Sequence, residues 1–173
     1  MLTALHFLTH IGIGWIVAAL GPGPRRDRWI IVLASFVSDL DGIGILWSEH
    51  AYVSMHRVVG HSLLCCLVMM GAVALLARRR WITAMLAAVA FHLHLLLDVV
   101  GTGGPPIRYL WPVSPWRLTY DRHWTLDSWP NVVVMVVTLL GTIATVWWRV
   151  RRRSAPVAGV PAAALPARSM PPS

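Results

Sequence analysis

The chain of 173 residues carries 15 arginines and no lysine against 7 acidic residues, and 57% of it is hydrophobic while only 13% is charged. A soluble domain carries about 25% charged residues, so this composition excludes an ordinary water-soluble globule, and the abundance of apolar stretches excludes disorder over most of the length. The net charge of +8 does not signal nucleic acid, because the arginines are knotted beside apolar segments, where membrane orientation accounts for them. The expected surroundings are membrane lipid, with no nucleic-acid partner.

Five apolar segments follow one another: Leu5 to Leu20, Trp29 to Trp47, His61 to Ala77, Trp81 to Val100 and Pro130 to Trp148. At 1.5 Å per residue, about 18 to 20 helical residues cover roughly 27 to 30 Å, the thickness of a hydrocarbon core. The first segment has no positively charged stretch before it and no small-residue cleavage site after it, so it is expected to stay in the mature protein. The second is interrupted by Asp39 and Asp41, and Gly42 and Gly44 allow unwinding there. Cys65 and Cys66, adjacent in the third, form no spaced framework and read as packing residues. The fourth contains His92, His94 and Asp98, whereas the fifth holds no ionisable group before Arg149.

These segments predict an all-α, multi-pass transmembrane bundle of about five helices in one domain, residues 1–150. Residues 151–173 form a basic and then Ala/Pro-rich tail, expected to be disordered and cytoplasmic. Trp29, Trp47, Trp81, Trp129, Trp147 and Trp148 fall at segment ends, where an indole favours the headgroup region. With five crossings, ten arginines fall on the side of the Gly21 to Arg28 link, the Arg78 to Arg80 link and the C-terminal end. Four (Arg57, Arg108, Arg117 and Arg122) fall on the other. The arginine-rich side is then cytoplasmic, with the N-terminus out and the C-terminus in.

That topology gives each ionisable residue a depth. His6, His10, Asp39, Asp41, His56, His61, His94 and Asp98 all gather in the outer half. Burying ionisable groups near the bilayer centre costs at least ~2.5 kcal/mol each, so mutual compensation in one shared polar site is the economical explanation. His94 and Asp98 are four residues apart and share a helix face, as do His6 and His10. Imidazole and carboxylate without thiolate suit a divalent ion, Zn in the first place, with Mn or Fe as alternatives. His92 lies about 200° round the helix from His94 and should face elsewhere. His50 and His123 read as solvated loop residues.

The ordered set of motifs resembles a bacterial family, the membrane-bound metal-dependent hydrolases of the inner membrane. It consists of LTHIGIG with His10, SDLDG with Asp39 and Asp41, HRVVGHS with His56 to Ser62, HLLLD with His94 to Asp98, and GTGGPPIRYLWP. That family is distantly similar to zinc-dependent phospholipase C and the P1-type nucleases. Ser38, Gly42 and Gly60 stand where members often have Pro, His and Thr. The resemblance implies a cytoplasmic (inner) membrane location and hydrolysis of a phosphoester or lipid-like, amphiphilic substrate. It nominates His10, Asp39, His61, His94 and Asp98 as metal ligands, and His56 and Asp41 either as further ligands or as groups that orient ligands and handle protons. If the substrate is a phosphoester, Arg57 and Arg108 are candidates to hold its charge, since guanidinium pairs bidentately with phosphate.

Two other classes compete. A metal or proton transporter also places His and Asp in the membrane, but it needs polar groups through the inner half, and Trp81 to Phe91 offers none. A non-catalytic scaffold binding a partner or anionic lipid through its basic links leaves the outer His/Asp set unexplained.

Overall fold

The computed structural model describes residues 2–101 and 105–154, with side chains described from 7 to 101 and from 105 to 152. The elements are α1 (Leu2–Leu20), α2 (Arg25–Ala34), a 3₁₀ helix (Val37–Leu46), α3 (Glu49–Met55), α4 (Leu63–Leu76), α5 (Arg80–Gly101) and α6 (Trp129–Ser154). Among the described residues the only β pairing is one antiparallel bridge between Ile107 and Leu118. The protein is all-helical, as expected.

The expectation of five full crossings is not matched by length. Among the described residues, α5 and α6 are long and apolar enough to cross a membrane, and α2 with the 3₁₀ helix makes a third if that pair, bent by 48°, counts as one span. The second segment breaks at Ser35, which is fully buried. Its hydroxyl donates back to the Val32 carbonyl at 2.8 Å, a bond that competes with the helical ladder and bends it. The third segment yields a helix of only 14 residues, because the Ser62 hydroxyl caps α4 by accepting from the Cys65 N–H at 3.1 Å. His61 is thereby left outside the helix. The link before it contains α3, which the sequence reading did not anticipate.

The core uses small residues to bring helices close. Ala18, Ala84, Ala87 and Ala90 are almost fully buried around Phe91 and Ile31. A Cβ on Gly12 would lie 2.7 Å from the Thr138 side chain, so α1 and α6 can approach only because position 12 has none. The outside is the inverse of a soluble protein's. Val133, Val137, Leu140 and Ile143 of α6 are exposed, as are Leu67, Val68 and Leu75 of α4. Exposed apolar surface on this scale marks a lipid-facing protein. The six tryptophans picked out at segment ends are all exposed.

At one end, Asp27 ties three elements together. Its carboxylate accepts the backbone N–H groups of Arg78 at 3.0 Å and Arg79 at 2.9 Å, and the Thr83 hydroxyl at 3.2 Å. It therefore caps α5 from a distant part of the chain, satisfying donors that every helix N-terminus leaves open. Arg149 does the converse for α1, donating to the carbonyls of Ala19 and Gly21. The arginines of the two links and of the α6 end thus decorate the end where α5 starts. His94 lies 14 residues along α5 from Arg80, about 21 Å away at the helical rise. Helix α6 runs on through Ser154, so residues 151–154 of the tail expected to be disordered are helical instead; the rest of that tail, residues 155–173, lies outside the described residues, as does the His6 side chain.

Candidate metal centre

The far part of the bundle gathers the ionisable residues. Helix α5 presents His94 and Asp98 from one face, both buried, with His94 Nε2 3.7 Å from Asp98 Oδ2. The 3₁₀ helix brings Asp39 across, its Oδ1 3.3 Å from His94 Nε2. The turn before α4 supplies His61, fully buried, whose Nε2 is 3.0 Å from Asp98 Oδ2. Asp39, His61, His94 and Asp98 offer four ligand atoms within 4.8 Å of one another. Ligand bonds of about 2 Å put donors on opposite sides of an ion about 4 Å apart, so a small inward movement closes this set around one divalent ion. The His94 Nδ1 is buried with no hydrogen-bond partner among the described residues. Two carboxylates, two imidazoles and a spread of this size fit a divalent ion.

The second constellation shares a member with the first. His61 Nδ1 lies 3.1 Å from Asp41 Oδ2, and Asp41 Oδ1 lies 2.9 Å from His56 Nδ1. Asp41 also accepts the Gly60 N–H at 3.0 Å, and a Cβ on Gly60 would sit 2.3 Å from the Ser38 carbonyl. Only glycine allows that approach. Asp39 and Asp41, two residues apart on a 3₁₀ helix of three residues per turn, point to different sides, so one faces His94 and the other His56 and His61. A carboxylate that holds one nitrogen of an imidazole while the other nitrogen faces an ion site fixes ring orientation and tautomer. Asp41 stands in that relation to His61.

His10 sits beside the four-atom set. Its Nε2 is 3.4 Å from Asp98 Oδ1, and its ring lies 3.9 Å from that of His94. Arg57 is buried, with Nε 3.7 Å from Asp98 Oδ2 and Nη1 donating to the Pro105 carbonyl at 3.1 Å. Its φ of 64° is unusual for a residue other than glycine, and the Arg108 N–H donating to its carbonyl at 3.0 Å helps to fix that turn. The structure thus places Arg57 inside the cluster and leaves Arg108, half-buried, at its edge. Tyr52 of α3 stacks on His56 at 4.7 Å. Burial pushes its phenol above the ordinary value against the pull of Arg57, so it stays protonated.

His92 faces away, as expected: it is exposed, and its ring nitrogens meet the Ala88 carbonyl and the Tyr109 hydroxyl, each at 2.8 Å. His50 and His123 are exposed. The sequence reading missed Asp27, Tyr52 and the interior position of Arg57. The Asp27 cap joins residues more than fifty positions apart, and no local pattern announces it.

A helical protein with exposed apolar helix faces and a buried His/Asp cluster has the character of a helical membrane protein that carries a polar site. The family model described as YdjM inner membrane protein matches residues 1–169, and the chain belongs to that family. Its place is accordingly the inner membrane. Neither the curated proteins nor the solved structures contain a match. The family description speaks of location; the chemistry rests on the residues.

Proposed function

We propose that the protein is a membrane-embedded, metal-dependent hydrolase acting on a phosphoester or lipid-like substrate. The observation that carries this reading is the buried set Asp39, His61, His94 and Asp98, with four donor atoms within 4.8 Å and Asp41 behind His61. A divalent ion held there, zinc by the chemistry of the donors, would supply Lewis-acid chemistry and a water of lowered pKa. Asp39, His61, His94 and Asp98 are the proposed ligands, with His10 packed on His94 and reaching Asp98. Asp41 orients His61, and His56, joined to Asp41 and half-buried, carries protons between the cluster and the surface. Arg57 offsets the negative charge of Asp98 from within, and Arg108 receives the charge of the substrate.

In the proposed topology the chain has its N-terminus outside and its C-terminus inside, and the cluster opens towards the outer face. The ten-to-four arginine asymmetry supports this orientation. Activity of a periplasm-dependent reporter enzyme fused after Arg153 would contradict it.

The deciding experiment is elemental analysis of detergent-purified full-length protein together with turnover of a phosphoester series. The expected result is a stoichiometric divalent ion, and hydrolysis that stops on chelation and returns when the ion is restored. At an ion concentration of 100 times Kd, removing it should lower stability by about 2.7 kcal/mol. A chain that holds no ion at any pH from about 7 to 8, above the ordinary imidazole pKa of about 6.5, rules the reading out.

A further inference from the structure

Beside the metal cluster lies a cleft of about 240 Å³, lined by His56, Ser54, Pro105, Pro106, Arg108 and Arg117 among others. The bridge of Ile107 to Leu118 explains how two arginines come to share it. Ile107 and Leu118 exchange both backbone hydrogen bonds, at 3.1 and 2.8 Å, and Ile107 is buried. The bridge is isolated, and it draws the two flanking segments together so that Arg108 and Arg117 line the same cleft. No carboxylate lines the cleft, and neither guanidinium has a hydrogen bond or ion pair among the described residues. The third arginine of the region, Arg57, is turned the other way and committed to Asp98 and Pro105.

Two guanidiniums on the wall of one cleft, with no carboxylate among its lining residues and His56 beside them, make a receptor for a multiply charged oxyanion. We infer that this cleft seats the phosphate group of the ligand, with Arg108 and Arg117 as its two clamps. The inference rests on the proposed hydrolytic reading for calling that ligand a substrate, but not for the binding itself. A phosphate with about 1.5 to 2 negative charges offers three acceptor oxygens, enough for both guanidiniums. His56 links the cleft to the cluster through its contact with Asp41, which also holds His61. Arg117 is the specificity-determining residue that the motifs did not reveal, since it is brought in only by the bridge.

The test uses the full-length chain in dodecyl maltoside micelles, with inorganic phosphate as probe and titration calorimetry as readout. Each preparation is checked by gel filtration and for ion content. R117Q should weaken phosphate binding by about tenfold, the loss of a charge-assisted hydrogen-bonded contact, and R108Q/R117Q by more. R117K should recover part of the affinity. R122Q, in the same loop but outside the cleft, should stay within about twofold of the parent, the range of an exposed charge. Wild-type affinity in R108Q/R117Q overturns the inference, as does an equal loss in R122Q. Competition identifies the source of the phosphate. Displacement by dioleoyl phosphatidic acid at lower concentration than by glycerol 3-phosphate assigns a lipid headgroup, and equal potency assigns a soluble ester; both results uphold the cleft. Phosphate binding that depends on the arginines in a chain without a divalent ion removes the hydrolytic reading and keeps this one. A chain with a stoichiometric ion and arginine-independent phosphate binding does the reverse.

Discussion

Asp27 and Asp98 are both buried carboxylates in an apolar bundle, and they are buried for opposite reasons. Asp27 accepts from two backbone N–H groups and one hydroxyl, all fixed donors that cannot be titrated. Its bonds end there, and the group is a joint between α2 and α5. Asp98 faces three imidazoles and a guanidinium: His61 at 3.0 Å, His10 at 3.4 Å, His94 and Arg57 each at 3.7 Å. Every one of those partners is itself costly to bury. A carboxylate whose needs are met by backbone is structural, whereas one surrounded by other ionisable groups at converging distances has the composition of a ligand set. The difference lies in who the partners are, since both carboxylates are buried to a similar degree.

Six substitutions break or sharpen that contrast. Asp98→Ala or His94→Ala should abolish hydrolysis and strip the ion, measured as metal per chain and turnover in detergent. Because Asp98→Ala also removes the carboxylate that buried Arg57 pairs with, Asp39→Asn serves as the milder control, as Asp39 is the most exposed member of the set. Retention of the full ion by all three variants would reduce the cluster to structural polar contacts.

Asp27→Ala should act on the fold alone. Loss of an acceptor for two backbone N–H groups and one hydroxyl lowers stability by about 2 to 4 kcal/mol, while the folded fraction keeps its ion. Thermal unfolding in micelles with parallel metal analysis separates the two effects. Ion loss in proportion to folded protein would mean that the two nodes are coupled through α5.

Asp41→Asn keeps the size of the side chain and removes the charge that holds His61. It should cost about 10- to 100-fold in metal affinity or activity, the usual weight of a carboxylate behind a histidine ligand. A metal titration that superimposes on wild type would remove Asp41 from the site. The smallest effect is expected at His92, where substitution by Ala loses a hydrogen bond to Tyr109 in the loop after α5, worth about 0.5 to 1.5 kcal/mol, and leaves the ion in place. Ion loss there would overturn the assignment of helix faces on α5.

Much of this was legible in the residues. The all-helical class, the apolar segments and the terminal tryptophans follow from composition and hydrophobic runs, which report burial in lipid without reference to neighbours. The shared face of His94 and Asp98, and the opposite placement of His92, follow from the helical period. Lengths were harder, because a run of apolar letters does not reveal where a side chain intercepts the backbone ladder. Ser35 bends one segment and Ser62 starts another late, so among the described residues two or three helices reach spanning length.

Tertiary structure decided everything that joins distant positions. Arg57 and Arg108 read alike in sequence, two arginines near apolar segments, yet one is sealed against Asp98 and the other opens to a cleft. Asp27 gives no sign in its own segment that it will cap a helix fifty residues away. Arg117 comes to line the same cleft as Arg108 where one β bridge joins their segments. Local sequence fixes periodicity and solvent preference because those depend on a residue and its near neighbours; pairing across the bundle depends on how separate helices meet, which no single segment contains.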